Sequence, residues 1–111
     1  MQEFVLLLDL KNDPQLIAEY EHYHQKIWAQ VYAHLRSAGI ESMSIHRFQN
    51  RLVMLVTAKP AFTWERLHQM AEHNPDVQAW EELMDTYQQR FVGVAGKWQL
   101  AAEIFDLEKN H

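Results

Sequence analysis

The first third of the chain contains two clear hydrophobic patterns. Residues 3–11, EFVLLLDLK, are almost continuously apolar, which is typical of a strand buried on both faces. After a polar break, apolar and aromatic residues recur from residue 16 to residue 35 at the spacing of one helical face. Asp13 and Pro14 suit the start of this helix, and Gly39 suits its end. We therefore predict a strand followed by one long helix.

The remaining pattern predicts a hairpin, two helices and a last strand. A tight turn at Gln49 and Asn50 joins the two hairpin strands, and residues 90–96 form a loop. The predicted elements are strands at 40–48 and 51–58, helices at 62–74 and 75–89, and a strand at 97–108. The order β-α-β-β-α-α-β indicates one α+β domain over residues 1–111, with the ferredoxin-like (split βαβ) fold and a four-stranded antiparallel sheet.

The hydrophobic pattern of the first and third strands predicts an oligomer. In an antiparallel sheet with helices on one side, the other face is normally polar. Here FVLLL (4–8) and RLVMLVTA (51–58) are apolar at both alternating positions. The second face needs a cover, and a second copy of the chain can supply it. We expect a homodimer packed sheet to sheet.

Composition and charge narrow the class of protein. The net charge is −5 and the ten Lys and Arg residues are scattered, so the chain has no basic stripe for nucleic acid. It has no cysteine, which favours a reducing cytoplasm. The longest apolar run is too short to span a membrane, and the start MQEF lacks the basic region of a signal peptide.

The segment EYEHYHQKIW (19–28) contains the most unusual pattern. Tyr20, His24 and Trp28 are four residues apart, so they share one side of a continuous helix. His24 is either a partly buried histidine satisfied by a backbone carbonyl or a general acid/base. No second histidine or carboxylate has the spacing of a metal pair with it.

Trp28 and Trp80 are either core residues or aromatic plates for the apolar face of a sugar. Tyr20 offers both a ring and a hydroxyl. The other histidines have no supporting neighbours in the sequence. We therefore expect solvated surface positions for His34, His68, His73 and His111.

Four segments together resemble the L-rhamnose mutarotase family. They are LDLKNDPQLIAEYEHYHQKIW, AGIESMSIHRFQNRLVM, NPDVQAWEELM and GKWQLAAEIFDL. The resemblance runs in order from Phe4 to Leu107, and its more specific parts are the element from His24 to Trp28 and the element around Trp80.

The resemblance implies a dimeric α/β barrel enzyme that interconverts the α and β anomers of a 6-deoxy-L-hexose without a cofactor. It places the catalytic histidine at His24, and its pocket positions fall on Tyr20, Trp28, Met43, Trp80 and Glu81. The rhamnose enzymes have tyrosine where this chain has Met43, and a second tryptophan where it has Glu81. These two changes resemble relatives thought to handle L-fucose.

Two other classes of protein remain open at this point. One is a different enzyme on the same dimeric scaffold, such as a cofactor-free monooxygenase or a haem-degrading enzyme. A haem enzyme would show a Soret band. The other is a non-catalytic binding or dimerisation module, in which His24→Ala would leave every activity unchanged.

Overall fold

A long strand opens the chain, and two helices follow it before the hairpin. The computed structural model describes all 111 residues. Its longer elements are β1 (Gln2–Leu10), α1 (Pro14–Gln25), α2 (Ala29–Ala38), β2 (Ile40–Phe48), β3 (Arg51–Ala58), α3 (Trp64–Glu72) and α4 (Pro75–Asp85). Two short strands complete it, β4 (Gln88–Gln89) and β5 (Gln99–Leu100).

The strands form one antiparallel sheet in the order β2-β3-β1-β4, with β5 also paired to β1. The free edge of β1 is thus shared: Leu10 faces Gln88 of β4, and Leu6 faces Leu100 of β5. This order, with the helices packed on one face, confirms the predicted α+β ferredoxin-like fold. The sheet of a single chain is open and does not close into a barrel.

Alternate residues of the central strands build the core on the helix side of the sheet. In β1 these are Leu6, Leu8 and Leu10, and in β3 every second residue from Leu52 to Ala58 is buried. One half of the core surrounds Phe62 and Leu67, and the other half surrounds Tyr20, Trp80 and Met84. The second half lies beneath α1 and α4, so the aromatic residues of the candidate site are part of the core.

The prediction of one long first helix is wrong, because the helix is interrupted near its middle. The chain leaves the helix at Lys26, which has extended φ and ψ of −151° and 100°, and it restarts after Trp28. Ile27 and Trp28 still pack against the core from this break. Because both segments bury the same side, the hydrophobic spacing continues across the break and does not reveal it.

The last predicted strand is also wrong in its extent. Only Gln99 and Leu100 form strand pairs, and one further bond runs from the Ala101 N–H to the Val5 carbonyl at 2.8 Å. The helix predicted over residues 75–89 ends at Asp85, so Gln88 and Gln89 pair with β1 instead.

The face of the sheet away from the helices is open and partly apolar. Val5 and Leu55 lie opposite each other there, 40% and 43% exposed. Beyond β5, Ile104, Phe105 and Leu107 are 95%, 60% and 67% exposed. The radius of gyration, 14.7 Å, exceeds the value of about 13 Å for a compact chain of this length. None of the helices combines the length and apolar character needed to cross a membrane.

Candidate active site

The candidate active site is a cleft of about 300 Å³ between the end of α1, the face of α2 and the edge strand β2. His24 and Ile27 form one end, and Tyr32 and Arg36 of α2 form another wall. The β2 wall runs from Ile40 to Ile45 and omits Glu41. The Arg36 guanidinium donates hydrogen bonds to the backbone carbonyls of Ile40 and Glu41, which joins α2 to β2 behind the cleft.

One backbone hydrogen bond fixes the chemical state of His24. Its Nδ1 lies 2.8 Å from the carbonyl oxygen of Tyr20, one turn earlier in α1. A carbonyl oxygen only accepts, so Nδ1 holds the proton and Nε2 of the neutral ring has the free lone pair. Burial lowers the pKa of His24 below its usual 6.5, and the bond to Tyr20 opposes this in part. The ring is therefore a neutral base at physiological pH.

Aromatic rings hold the His24 imidazole on two sides. The Tyr20 ring lies against it with centroids 4.3 Å apart and planes inclined by 33°. The Trp80 ring meets it edge-on at 5.4 Å and 64°. The Trp28 ring packs on the Trp80 ring, with centroids 5.1 Å apart and planes inclined by 70°. Trp28 immediately precedes the first residue of α2. The three aromatic residues that the sequence singled out therefore form one group around the histidine.

Trp80 and Tyr20 lie deeper than the cleft surface. Trp80 is 5% exposed and Tyr20 is 3% exposed, and neither lines the cleft. Burial raises the pKa of the Tyr20 phenol to about 12, while the side-chain amide of Gln88 acts in the opposite direction. Both rings support His24 from the core side.

The two positions at which the resemblance implies a departure from the rhamnose enzymes lie in different places. Met43 lines the same cleft as His24, from β2. The Glu81 carboxylate instead binds Lys97, with Oε2 3.1 Å from Nζ, at the loop before β5. Of the six predicted site residues, only His24 and Met43 line the cleft.

The prediction for His34 is wrong. This histidine is 7% exposed, because residues 31, 34 and 38 share the buried side of α2. Burial lowers the pKa of His34, and the negative charge of Glu81 opposes that shift. The helical spacing from Val31 to Ala38 was the signal that could have identified it as buried. Tyr32 and Arg36 also line the cleft, and neither was among the predicted site residues.

The arrangement can move a proton in a small cleft whose lining is mostly apolar. The free Nε2 lone pair of His24 is the base, and the protonated ring is then the acid that returns the proton. The cleft is large enough for a monosaccharide and combines apolar side chains with hydroxyl groups of Tyr32, Ser42 and Ser44.

Comparisons with known proteins identify the family of the chain. The sequence model of the family described as L-rhamnose mutarotase matches residues 3–107. An L-fucose mutarotase from Xanthomonas campestris pv. campestris is 38% identical over 113 residues, which cover 98% of this chain and 90% of that protein.

Solved structures show the same fold at low sequence identity. The L-rhamnose mutarotase from Formosa agariphila has a TM-score of 0.72 at 16% identity, covering 96% of this chain and 99% of that one. Tetracenomycin F2 cyclase from Streptomyces glaucescens has a TM-score of 0.60 at 18% identity, covering 96% and 95%. The fold thus supports more than one chemistry, and the sequence match is the more specific evidence. The family match over nearly the full chain confirms the expected sugar mutarotase, an isomerase, and the chain belongs to the L-rhamnose mutarotase family.

Proposed function

We propose that this protein interconverts the α and β anomers of a 6-deoxy-L-hexose, with L-fucose as its preferred substrate and His24 as the acid/base. The observation that supports this most strongly is the state of His24, whose Nδ1 is bound to the Tyr20 carbonyl while its Nε2 is free. The 38% identical relative named L-fucose mutarotase supports the choice of sugar.

In the proposed reaction, Nε2 of neutral His24 takes the proton of the anomeric hydroxyl. The bond between C1 and the ring oxygen breaks, its electron pair goes to the ring oxygen, and that oxygen gains a proton from a cleft hydroxyl or from solvent. The anomeric carbon becomes an aldehyde, which rotates about the C1–C2 bond. The former ring oxygen, now a hydroxyl, then attacks the other face of this aldehyde. The ring oxygen then loses its proton, and His24 returns its own to the new anomeric hydroxyl. A positioned acid/base supplies about 10²–10⁴-fold in such a reaction.

The remaining predicted site residues take separate roles in this proposal. Met43 contacts the sugar, because it lines the same cleft as His24. Tyr20 and Trp80 hold the imidazole through their ring contacts, and Trp28 packs against Trp80 behind it. Glu81 acts at a distance from the sugar, through its ion pair with Lys97 next to Trp80.

The proposal includes a homodimer packed through the open face of the sheet. Val5 and Leu55 are adjacent and incompletely covered there, and Leu7 and Val53 continue the apolar patch. The apolar residues beyond β5 also lack a partner within the chain. A second copy would cover both features at once.

Saturation-transfer NMR on L-fucose, L-rhamnose and a sugar that retains its 6-hydroxyl tests the substrate. We expect faster exchange for L-fucose than for L-rhamnose, and little acceleration for the third sugar. Met43→Tyr, compared with Met70→Tyr on α3 outside the cleft, should shift the rate ratio toward L-rhamnose. An unchanged ratio in Met43→Tyr would remove this residue from the specificity proposal. Equal or no acceleration of all three sugars would contradict the proposed substrate class.

A further inference from the structure

The reaction scheme above does not name the group that protonates the ring oxygen. His24 removes the proton of the anomeric hydroxyl, but the bond between C1 and the ring oxygen breaks readily only if that oxygen gains a proton. Three hydroxyl groups line the cleft together with His24, and they belong to Tyr32, Ser42 and Ser44. These three hydroxyls differ in the partners that the structure gives them.

The two serine hydroxyls are already bonded to groups on the sheet. Ser42 Oγ is hydrogen-bonded to Thr57 Oγ1 of the neighbouring strand β3. Ser44 Oγ lies 3.2 Å from Nε2 of His46, which is on the same strand. A serine hydroxyl is also a weaker acid than a phenol, because the phenolate spreads its charge into the ring. Neither serine is therefore well suited to give up a proton.

The Tyr32 hydroxyl has a cationic partner. Arg36 lies one helical turn later in α2, and its Nε donates a hydrogen bond to the Tyr32 phenol oxygen at 3.1 Å. The guanidinium carbon lies 5.2 Å from the centroid of the Tyr32 ring. Because an arginine only donates, the hydrogen of the Tyr32 hydroxyl must point to a different acceptor. Tyr32 is 52% exposed, so an oxygen of a bound sugar can be that acceptor.

The backbone of β2 holds Arg36 beside this oxygen. Its Nη1 donates to the carbonyl of Ile40 at 3.3 Å and to the carbonyl of Glu41. The guanidinium is thus fixed before any proton moves. A hydrogen bond from a cation becomes stronger as its acceptor becomes negative, so this arrangement favours the transition state in which Tyr32 loses its proton.

We propose that Tyr32 is the general acid that protonates the ring oxygen, with its phenolate stabilised by Arg36. This inference rests on the proposed function. As the bond between C1 and the ring oxygen breaks, its electron pair takes the proton of the Tyr32 hydroxyl. When the new hydroxyl attacks the other face of the aldehyde, it returns that proton to the phenolate. His24 takes and returns the anomeric proton in the same cycle, so both side chains end in their starting states.

The test compares the exchange of L-fucose and of 5-thio-L-fucose, whose ring sulfur leaves C1 as a thiolate with little need of an acid. We expect Tyr32→Phe to lower kcat for L-fucose by about tenfold or more with little change in KM, and to lower kcat for the thio sugar by less than about threefold. Tyr23→Phe is the matched control and should keep the wild-type kcat. Its side chain lies on another surface of α1, with Glu19 and His22.

Full kcat for L-fucose in Tyr32→Phe would overturn the inference. An equal loss for both sugars would also overturn it, because that result indicates a residue that only positions the sugar. A loss in Ser44→Ala as large as the loss in Tyr32→Phe would contradict the choice of acid. Circular dichroism confirms that each variant is folded. A wild type that exchanges no 6-deoxy sugar contradicts the proposed function, whereas an active wild type with a fully active Tyr32→Phe variant contradicts this inference alone.

Discussion

A single hydrogen bond determines what His24 can do. The Tyr20 carbonyl accepts from Nδ1, so the free nitrogen Nε2 is a base in the neutral ring. From the sequence, His24 is either a histidine satisfied by a carbonyl or a catalytic acid/base. The geometry unites them, because the carbonyl bond that satisfies the ring also fixes its tautomer.

The lowered pKa of His24 predicts how the reaction rate depends on pH. Burial lowers its pKa below 6.5, so the ring stays neutral as the pH falls through 6.5 and becomes protonated only below that value. The value of kcat/KM for anomer exchange should therefore decline as the pH falls, with its midpoint below pH 6.5. The stability of the fold also decreases as the pH falls. The unfolded chain binds the proton at a higher pH than the folded chain does, so the folded state loses stability below pH 6.5.

Anomer exchange measured between about pH 4 and pH 8 checks this, with urea unfolding at each pH. His22→Ala is the matched control, because this histidine is exposed on the same helix. An activity limb centred above pH 6.5 that is retained in His22→Ala would contradict the assignment.

Local spacing in the sequence predicted His24 and contained the signal for the burial of His34, but it could not predict the burial of Gln88. His24 and Tyr20 are one helical turn apart, which is visible in the sequence. Gln88 enters the core opposite Leu10 only because β4 pairs with the end of β1, a contact between residues far apart in the chain. Such a pairing depends on the tertiary fold, and the polar character of TYQQ gave no sign of it.

The break between α1 and α2 creates one end of the cleft. If the helix continued through Lys26, the chain would pass over the cleft instead of turning at Ile27 and Trp28. The elements themselves were largely predictable, since β1, the hairpin, α3 and α4 all lie within a few residues of their expected places. The break was not, because both sides of it bury residues at the same spacing.

The end of α2 depends on Gly39, and this yields a prediction. Gly39 has φ of 105°, and its N–H lies at the carbonyls of Leu35 and Arg36. A Cβ here would meet Phe62 Cβ at 3.7 Å, an ordinary contact, so the cost of a side chain comes from the backbone angle. Gly39→Ala should lower the free energy of unfolding by about 1–2 kcal/mol.

Urea denaturation measures this cost. Gly39→Asn is the control, because asparagine adopts the left-handed region more readily than alanine and should lose less. Equal stability of wild type and Gly39→Ala would contradict the cap assignment.

The single chain leaves two apolar surfaces without cover, the open face of the sheet and the segment beyond β5. The second surface also explains the error in the last strand. Residues 101–107 have apolar side chains suited to a strand, but within the chain the hydrogen bonds to β1 stop at Ala101. The sequence pattern predicted a strand here, and it could not show that the chain itself offers no further partner.

Two valine substitutions, one on the open face of the sheet and one outside it, test the proposed dimer. Val5 lies at the centre of the open face, whereas Val92 is 99% exposed in the loop before β5. Val5→Lys should convert a dimer of twice 13.2 kDa to a monomer, because a charge at this position would be buried against the partner. Val92→Lys should leave the dimer intact.

Light scattering at micromolar concentration gives the mass, and circular dichroism confirms that each variant is folded. A wild-type mass of 13.2 kDa would contradict the dimer. A dimeric Val5→Lys would place the interface elsewhere.

The most direct test of the account is the anomer exchange of L-fucose in His24→Ala and His22→Ala, measured by saturation-transfer NMR beside wild type. Both histidines lie on α1, two residues apart, but only His24 lines the cleft. We expect His24→Ala to lose about 10²–10⁴-fold of the catalysed rate and to remain folded, and His22→Ala to exchange at the wild-type rate. Wild-type exchange in a folded His24→Ala protein would contradict the catalytic role of His24.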